Sequence, residues 1–168
     1  MKQFSTQKIA RLGLLFALAM AFSFLESQVT PLLGLAPGIK PGLANVVVMY
    51  AMFAMGGACA AVLTLLKAAF VLMVQGPMAA VLSLCGGLCA LGGMLAVKRL
   101  HGTEWMLSVT GALLHNIGQL AALSILFVQS AYAFYYAPVL LISGLCMGTL
   151  TFWVFQQTQR LWKRCEKG

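Results

Sequence analysis

The sequence predicts an all-α, polytopic membrane protein, with six helices forming one domain over residues 1–168. Three observations predict it. Hydrophobic residues make up 61% of the chain and charged residues only 8%, against about a quarter charged in an ordinary soluble domain. The apolar residues come in long blocks, not in the alternating segments of about ten residues that build a membrane barrel. The basic residues collect at one set of block ends, which six crossings bring to a single side of a bilayer. At about 20 residues for each crossing, the length allows five to six helices and leaves no room for a soluble catalytic domain.

The first span, about 9–25, follows a basic start (Lys2, Lys8, Arg11) and ends among Ser23, Glu26, Ser27 and Gln28. It has no clear small-residue cleavage site and further spans follow, so it reads as a retained helix and not a signal peptide. Gly13, Ala17 and Ala21 repeat at i, i+4 and make a small-residue stripe. Such a stripe lets another helix approach closely. It marks a partner interface or a packing face inside the domain.

Between the first two spans lies Pro37-Gly38-Ile39-Lys40-Pro41-Gly42-Leu43-Ala44-Asn45. Its prolines and glycines exclude a regular element at the start. The second span, about 42–56, is short. A short helix that begins below the membrane surface would place Lys40, Asn45 and its free N–H groups in a vestibule favourable to an anion. The alternative is an ordinary connecting turn.

The third span, about 58–75, carries Lys67 near its middle. A bare ammonium there costs roughly 2.5–3.5 kcal/mol on insertion scales, so it is expected to face a cavity or a partner. Glu26 is the only acid near the outer half and is the natural partner. Lys67 therefore lines a substrate cavity, forms a structural ion pair, or snorkels to the interface. Gly76-Pro77 closes the span in a tight turn.

The fourth span, about 78–97, holds Gly86, Gly87, Gly92 and Gly93, which permit close helix contacts. Lys98 and Arg99, followed by His101, end it with a cytoplasmic signature, and Glu104 and Trp105 open the next span at the interface. The fifth span, about 106–128, contains Gly111, His115, Asn116, Gly118 and Gln119. His115 and Gln119 share a face at i, i+4, and Asn116 and Gln119 are neighbours at i, i+3. Polar groups at that depth should not face lipid. They form a polar cavity floor or an interhelical network that fixes the fold. Tyr132, Phe134, Tyr135 and Tyr136 read as an outer interfacial belt before the sixth span, about 138–155.

This arrangement puts nine basic residues on the side of both termini and Lys40 alone on the other, so both termini are expected in the cytoplasm. The net charge of +8 therefore points to anionic lipid headgroups and not to nucleic acid. Cys59, Cys85, Cys89 and Cys146 lie in apolar runs and are expected to be small buried hydrophobes, with no metal site. There is no aspartate and only three glutamates, so no catalytic triad and no paired carboxylates can be drawn. Carboxylates to hold magnesium against a diphosphate are lacking too. No phosphate loop, dinucleotide fingerprint or zinc motif is present, and no cofactor is implied. Binding and translocation need none of these groups.

The Pro37-Gly38-Ile39-Lys40 and Gly42-Leu43-Ala44-Asn45 pair, with Gly111 and His115-Asn116-Ile117-Gly118-Gln119-Leu120, resembles the signature of a bacterial family. It is the one labelled heptaprenyl diphosphate synthase component I, also called the Gx transporter family. The resemblance extends through the glycine-rich fourth span to Tyr136-Ala137-Pro138-Val139-Leu140. Pro41 stands where an apolar residue is expected. The family is similar in turn to the substrate-binding S components of energy-coupling factor vitamin transporters. Those are six-helix proteins of the cytoplasmic membrane that work with a transmembrane coupling subunit and two cytoplasmic ATPases. The resemblance implies that Gly13, Ala17 and Ala21 meet the coupling subunit. It also implies a cavity built from the 37–45 loop and polar residues of the inner helices, and the residues expected to bind a small polar or anionic solute are Lys40, Asn45, Lys67, His115, Asn116, Gln119 and Glu26. The family label implies a different role, a noncatalytic component of heptaprenyl diphosphate synthesis with a soluble prenyl diphosphate synthase subunit as partner.

Overall fold

The computed structural model describes residues 6–33, 42–126 and 130–165, and the side chains of these except 33, 130–136, 158 and 161–165. It contains six α-helices: α1 (Thr6–Val29), α2 (Asn45–Ala54), α3 (Gly57–Gln75), α4 (Pro77–Arg99), α5 (Glu104–Leu126) and α6 (Ser130–Cys165). A 3-10 turn, Thr30–Leu33, follows α1, and no strand occurs among the described residues.

Five of the helices are long and apolar enough to cross a membrane, and α2 is the exception. Its ten residues reach about 15 Å, half of a hydrocarbon layer of about 30 Å. The six expected spans are therefore five full-length helices and one short one, and α2, expected to be short over about 42–56, is shorter still. Glycines bracket α2 on both sides: Gly42 has φ 100° and Gly56 has φ 96°, a region that other residues rarely adopt. The turn expected at Gly76-Pro77 is present, with Gly76 in the same region and Pro77 at the first turn of α4, where its fixed φ suits a helix start. Thr103 caps α5, its Oγ1 accepting from the Met106 N–H at 3.3 Å, and Glu104 in the first turn complements the helix dipole.

The sixth helix departs from expectation. Residues 130–136, read from sequence as a connecting aromatic belt, form the opening turns of α6, and Pro138 lies inside the helix. A lone proline removes one backbone donor, and here it does not end the helix. The 36 residues of α6 run for about 54 Å, well beyond one hydrocarbon thickness.

The surface is apolar and the interior holds polar groups. Leu14, Phe24, Met73, Ile125, Ile142 and Trp153 are exposed, whereas Ser23, Glu26, Asn45, Lys67, His115 and Gln119 are buried. This is the pattern of a membrane protein. Cys89 and Cys146, expected to be buried, lie on the outward surface, and among the cysteines whose side chains are described only Cys59 is buried. An apolar run does not fix which side of a helix faces lipid.

The most extensive helix pairing joins α4 to α5. Gly86 and Gly93 on α4, and Gly111 and Gly118 on α5, are each seven residues apart and lie on the facing surfaces. A Cβ on Gly86 would stand 2.8 Å from the His115 backbone oxygen, and one on Gly118 would stand 2.9 Å from the Cys85 oxygen. Only glycine allows the two backbones this near. The apolar core beside this pair joins Met20, Val48, Met52, Leu63, Met94 and Phe155 from five helices.

Candidate functional site: a buried polar centre

The half-length of α2 decides what lies at the middle of the bundle. Its N-terminal turn starts inside the structure, where the N–H groups of Asn45, Val46 and Val47 donate to the Gly42, Leu43 and Ala44 carbonyls in tight i−3 bonds, and the Leu43 N–H just before it needs an acceptor from elsewhere. Glu26, near the end of α1, supplies one acceptor: its Oε1 takes the hydrogen bond of the Leu43 N–H. The same carboxylate is the charge that acts on Lys67 of α3. Glu26 and Lys67 are each 2% exposed. The central lysine and the outer acid are thus both buried in the same region of the bundle, near enough for the carboxylate charge to act on the ammonium.

On the other side of Gly42 lie Asn45 and His115. A Cβ on Gly42 would be 3.2 Å from Asn45 Nδ2 and 3.5 Å from His115 Cδ2. The loop can bring both side chains together because Gly42 has none. His115 Nε2 and Gln119 Nε2 are 3.0 Å apart, so the i, i+4 pair forms as expected. Among the described residues the Asn45 side-chain amide has no hydrogen-bond partner at either atom, although it is 4% exposed. Such a buried, unsatisfied amide is costly and marks a place where a polar guest would be welcome.

Asn116 belongs to a different contact. Its Nδ2 donates to the Leu140 carbonyl at 2.7 Å and lies 3.4 Å from Ser143 Oγ. It therefore ties α5 to α6, beside the Ser108 hydroxyl, which donates to the Gly148 carbonyl at 2.6 Å. One residue along a helix turns the side chain by about 100°, which separates Asn116 from His115. Lys40 lies outside the described residues. Gly13, Ala17 and Ala21 are exposed on α1, so the small-residue stripe faces outward and does not pack within the bundle.

Two supporting features were not read from the sequence. Thr64, one turn before Lys67, is fully buried against Gly87, and Gly86 backs His115. The adjacent glycines of α4 thus serve both the α3 and the α5 sides of the centre. Neither carries a signal beyond the glycine-rich composition already noted.

The sequence profile of heptaprenyl diphosphate synthase component I matches residues 15–158. The chain belongs to this family. The match covers α2 to α5 whole and most of α1, and it includes every centre residue named above. No curated protein and no solved structure matches the chain. Membership in the heptaprenyl diphosphate synthase component I family names a biosynthetic setting, and the centre itself contains one acid, one lysine, one histidine and two amides. That set can bind a polar group or hold helices together. It does not provide two carboxylates for a metal–diphosphate complex.

Proposed function

We propose that the chain is a noncatalytic, membrane-embedded component of heptaprenyl diphosphate synthesis that acts with a separate prenyl diphosphate synthase. Family membership over residues 15–158 carries this reading. The three acids of the whole sequence support the division of labour, since prenyl transfer draws on acidic, metal-holding groups that a partner must then bring. The whole chain acts as one domain in the bacterial cytoplasmic membrane. The end bearing Arg11, Lys98 and Arg160 faces the cytoplasm, because basic residues are retained there, and a soluble synthase would meet it on that side. The test is purification of the chain from its native membrane with identification of the proteins that accompany it, together with prenyl product length in cells lacking it. A synthase that copurifies and a changed product length are expected; neither would occur if the reading is wrong.

A second reading is an S-type subunit that captures a small polar or anionic solute for a coupling subunit and ATPases. The buried Asn45 amide, which meets His115 at Gly42, and the buried charges of Lys67 and Glu26 favour it. Lys67 and His115 are each 2% exposed, so capture requires the centre to open. In that case Lys67→Ala abolishes uptake of the solute and the coupling ATPases copurify. Uptake by Lys67→Ala at the wild-type rate would remove the lysine from the binding role.

A further inference from the structure

A cavity of about 460 Å³ opens between α1, α2 and α6, away from the polar centre. Leu14, Leu15, Tyr50, Phe53 and Phe155 give it apolar walls, and Arg11 and Gln159 stand at its edge. The wall is a built surface: the Tyr50 and Phe53 rings lie 6.3 and 5.0 Å from the Phe155 ring, centroid to centroid, and Phe155 is itself buried in the core. Gln159 also lines a second cavity of about 180 Å³, with Glu104, Gln156 and Arg160. One residue therefore joins an apolar compartment to a polar one. Lys98 Nζ lies 5.0 Å from the centroid of Phe53, a wall residue. Among the described residues, Arg11 lines the first cavity, Arg160 lines the second with one acid, Glu104, and Lys98 stands against a wall ring.

We infer that the two cavities together hold a prenyl diphosphate, its chain between the aromatic walls and its head at Arg11 and Arg160. Guanidinium groups hold phosphate oxygens through paired, charge-assisted hydrogen bonds. The apolar compartment falls within the range of about 300–1,000 Å³ that ordinary ligand pockets occupy. It is a single compartment, which suits one chain better than the two tails of a phospholipid. The basic end of a bundle is also where a head must lie if its chain is to follow the helices into the bilayer. No bond is made or broken at this site. The ligand is held at the membrane surface for a partner. This inference rests on the reading of the chain as a component of prenyl diphosphate synthesis.

The test uses the full chain in phosphatidylcholine discs and labelled farnesyl diphosphate, with inorganic pyrophosphate, farnesol and phosphatidylglycerol as competitors. Saturable binding is expected, with pyrophosphate and farnesol each competing at least about tenfold more weakly than unlabelled farnesyl diphosphate. Arg11→Gln weakens binding about tenfold, the loss of one charged hydrogen-bond partner. Ala54→Trp and Leu14→Trp each fill the apolar compartment and abolish binding. Both positions are exposed, and an unchanged melting temperature separates a filled cavity from a lost fold. Absence of saturable binding, equal competition by phosphatidylglycerol or farnesol, or wild-type binding by folded forms of both tryptophan variants would overturn the inference. Copurification of a synthase is read independently. Binding without a synthase overturns the functional reading alone, and a synthase without binding overturns this site alone.

Discussion

The polar centre and the basic-end cavity are both built around α2, and they are opposites. At the N-terminal end of α2, Glu26, Lys67, Asn45, His115 and Gln119 are each at most 4% exposed. At its C-terminal end, Tyr50, Phe53, Ala54 and Met55 border open space. Charge and amide groups in the first region are closed in by glycines of α4 and by Gly42. Aromatic carbon in the second is left reachable. Buried polar groups tie elements into one arrangement, whereas an open apolar wall has room for a guest. The same short helix thus joins a region that resists change to one that accepts it.

Substitutions can break or sharpen this contrast. The largest effect is expected at the charge pair. Lys67→Met alone leaves Glu26 without its cation and should destabilise the protein by about 3–5 kcal/mol. Adding Glu26→Gln should recover much of that loss, as read by denaturant unfolding in detergent. A neutral Lys67→Met would show that the two regions do not differ in this way. Next comes size. Gly86→Ala places a carbon against the His115 backbone and should cost about 1–3 kcal/mol. Ala54→Trp, a far larger insertion at the open end, should stay within about 0.5 kcal/mol of wild type. Equal melting losses for both would erase the distinction. Asn116→Leu removes the donor to Leu140 and should cost about 0.5–1.5 kcal/mol, a smaller loss because Ser143 Oγ also donates to that carbonyl at 3.0 Å. The smallest effect is expected for Ala17→Leu on the outward stripe, within about 0.5 kcal/mol, measured by the same unfolding assay.

Much of the fold was legible because lipid-length apolar blocks and charged block ends are local signals. That Lys67 is buried with Glu26 as the acid acting on it was legible for another reason: with three acids in the chain, a mid-helix lysine has few choices. His115 with Gln119 followed from helical spacing. Asn116 was grouped with them by closeness in sequence, and the turn of the helix sends it to α6. The start of the sixth span was placed too late, at Pro138, because a proline suits a helix start, whereas Pro138 is inside α6. The exposure of Cys89 and Cys146 was not legible, because an apolar run does not say which face meets lipid. The paired glycines seven residues apart on α4 and α5 needed knowledge of which helices face each other. The basic-end cavity had no sequence signature at all, since Arg11, Tyr50, Phe155 and Gln159 come from three helices far apart along the chain.

The ten-residue length of α2 also governs how the protein is made. A segment of that reach is too short to partition into a bilayer by itself. It must be carried in by the helices on either side, and the Leu43 amide just before it gains an acceptor only once the Glu26 carboxylate is in place. Biogenesis at the translocon therefore treats α1 to α3 as one unit released together, with the acid of the first helix acting as the seat for the second.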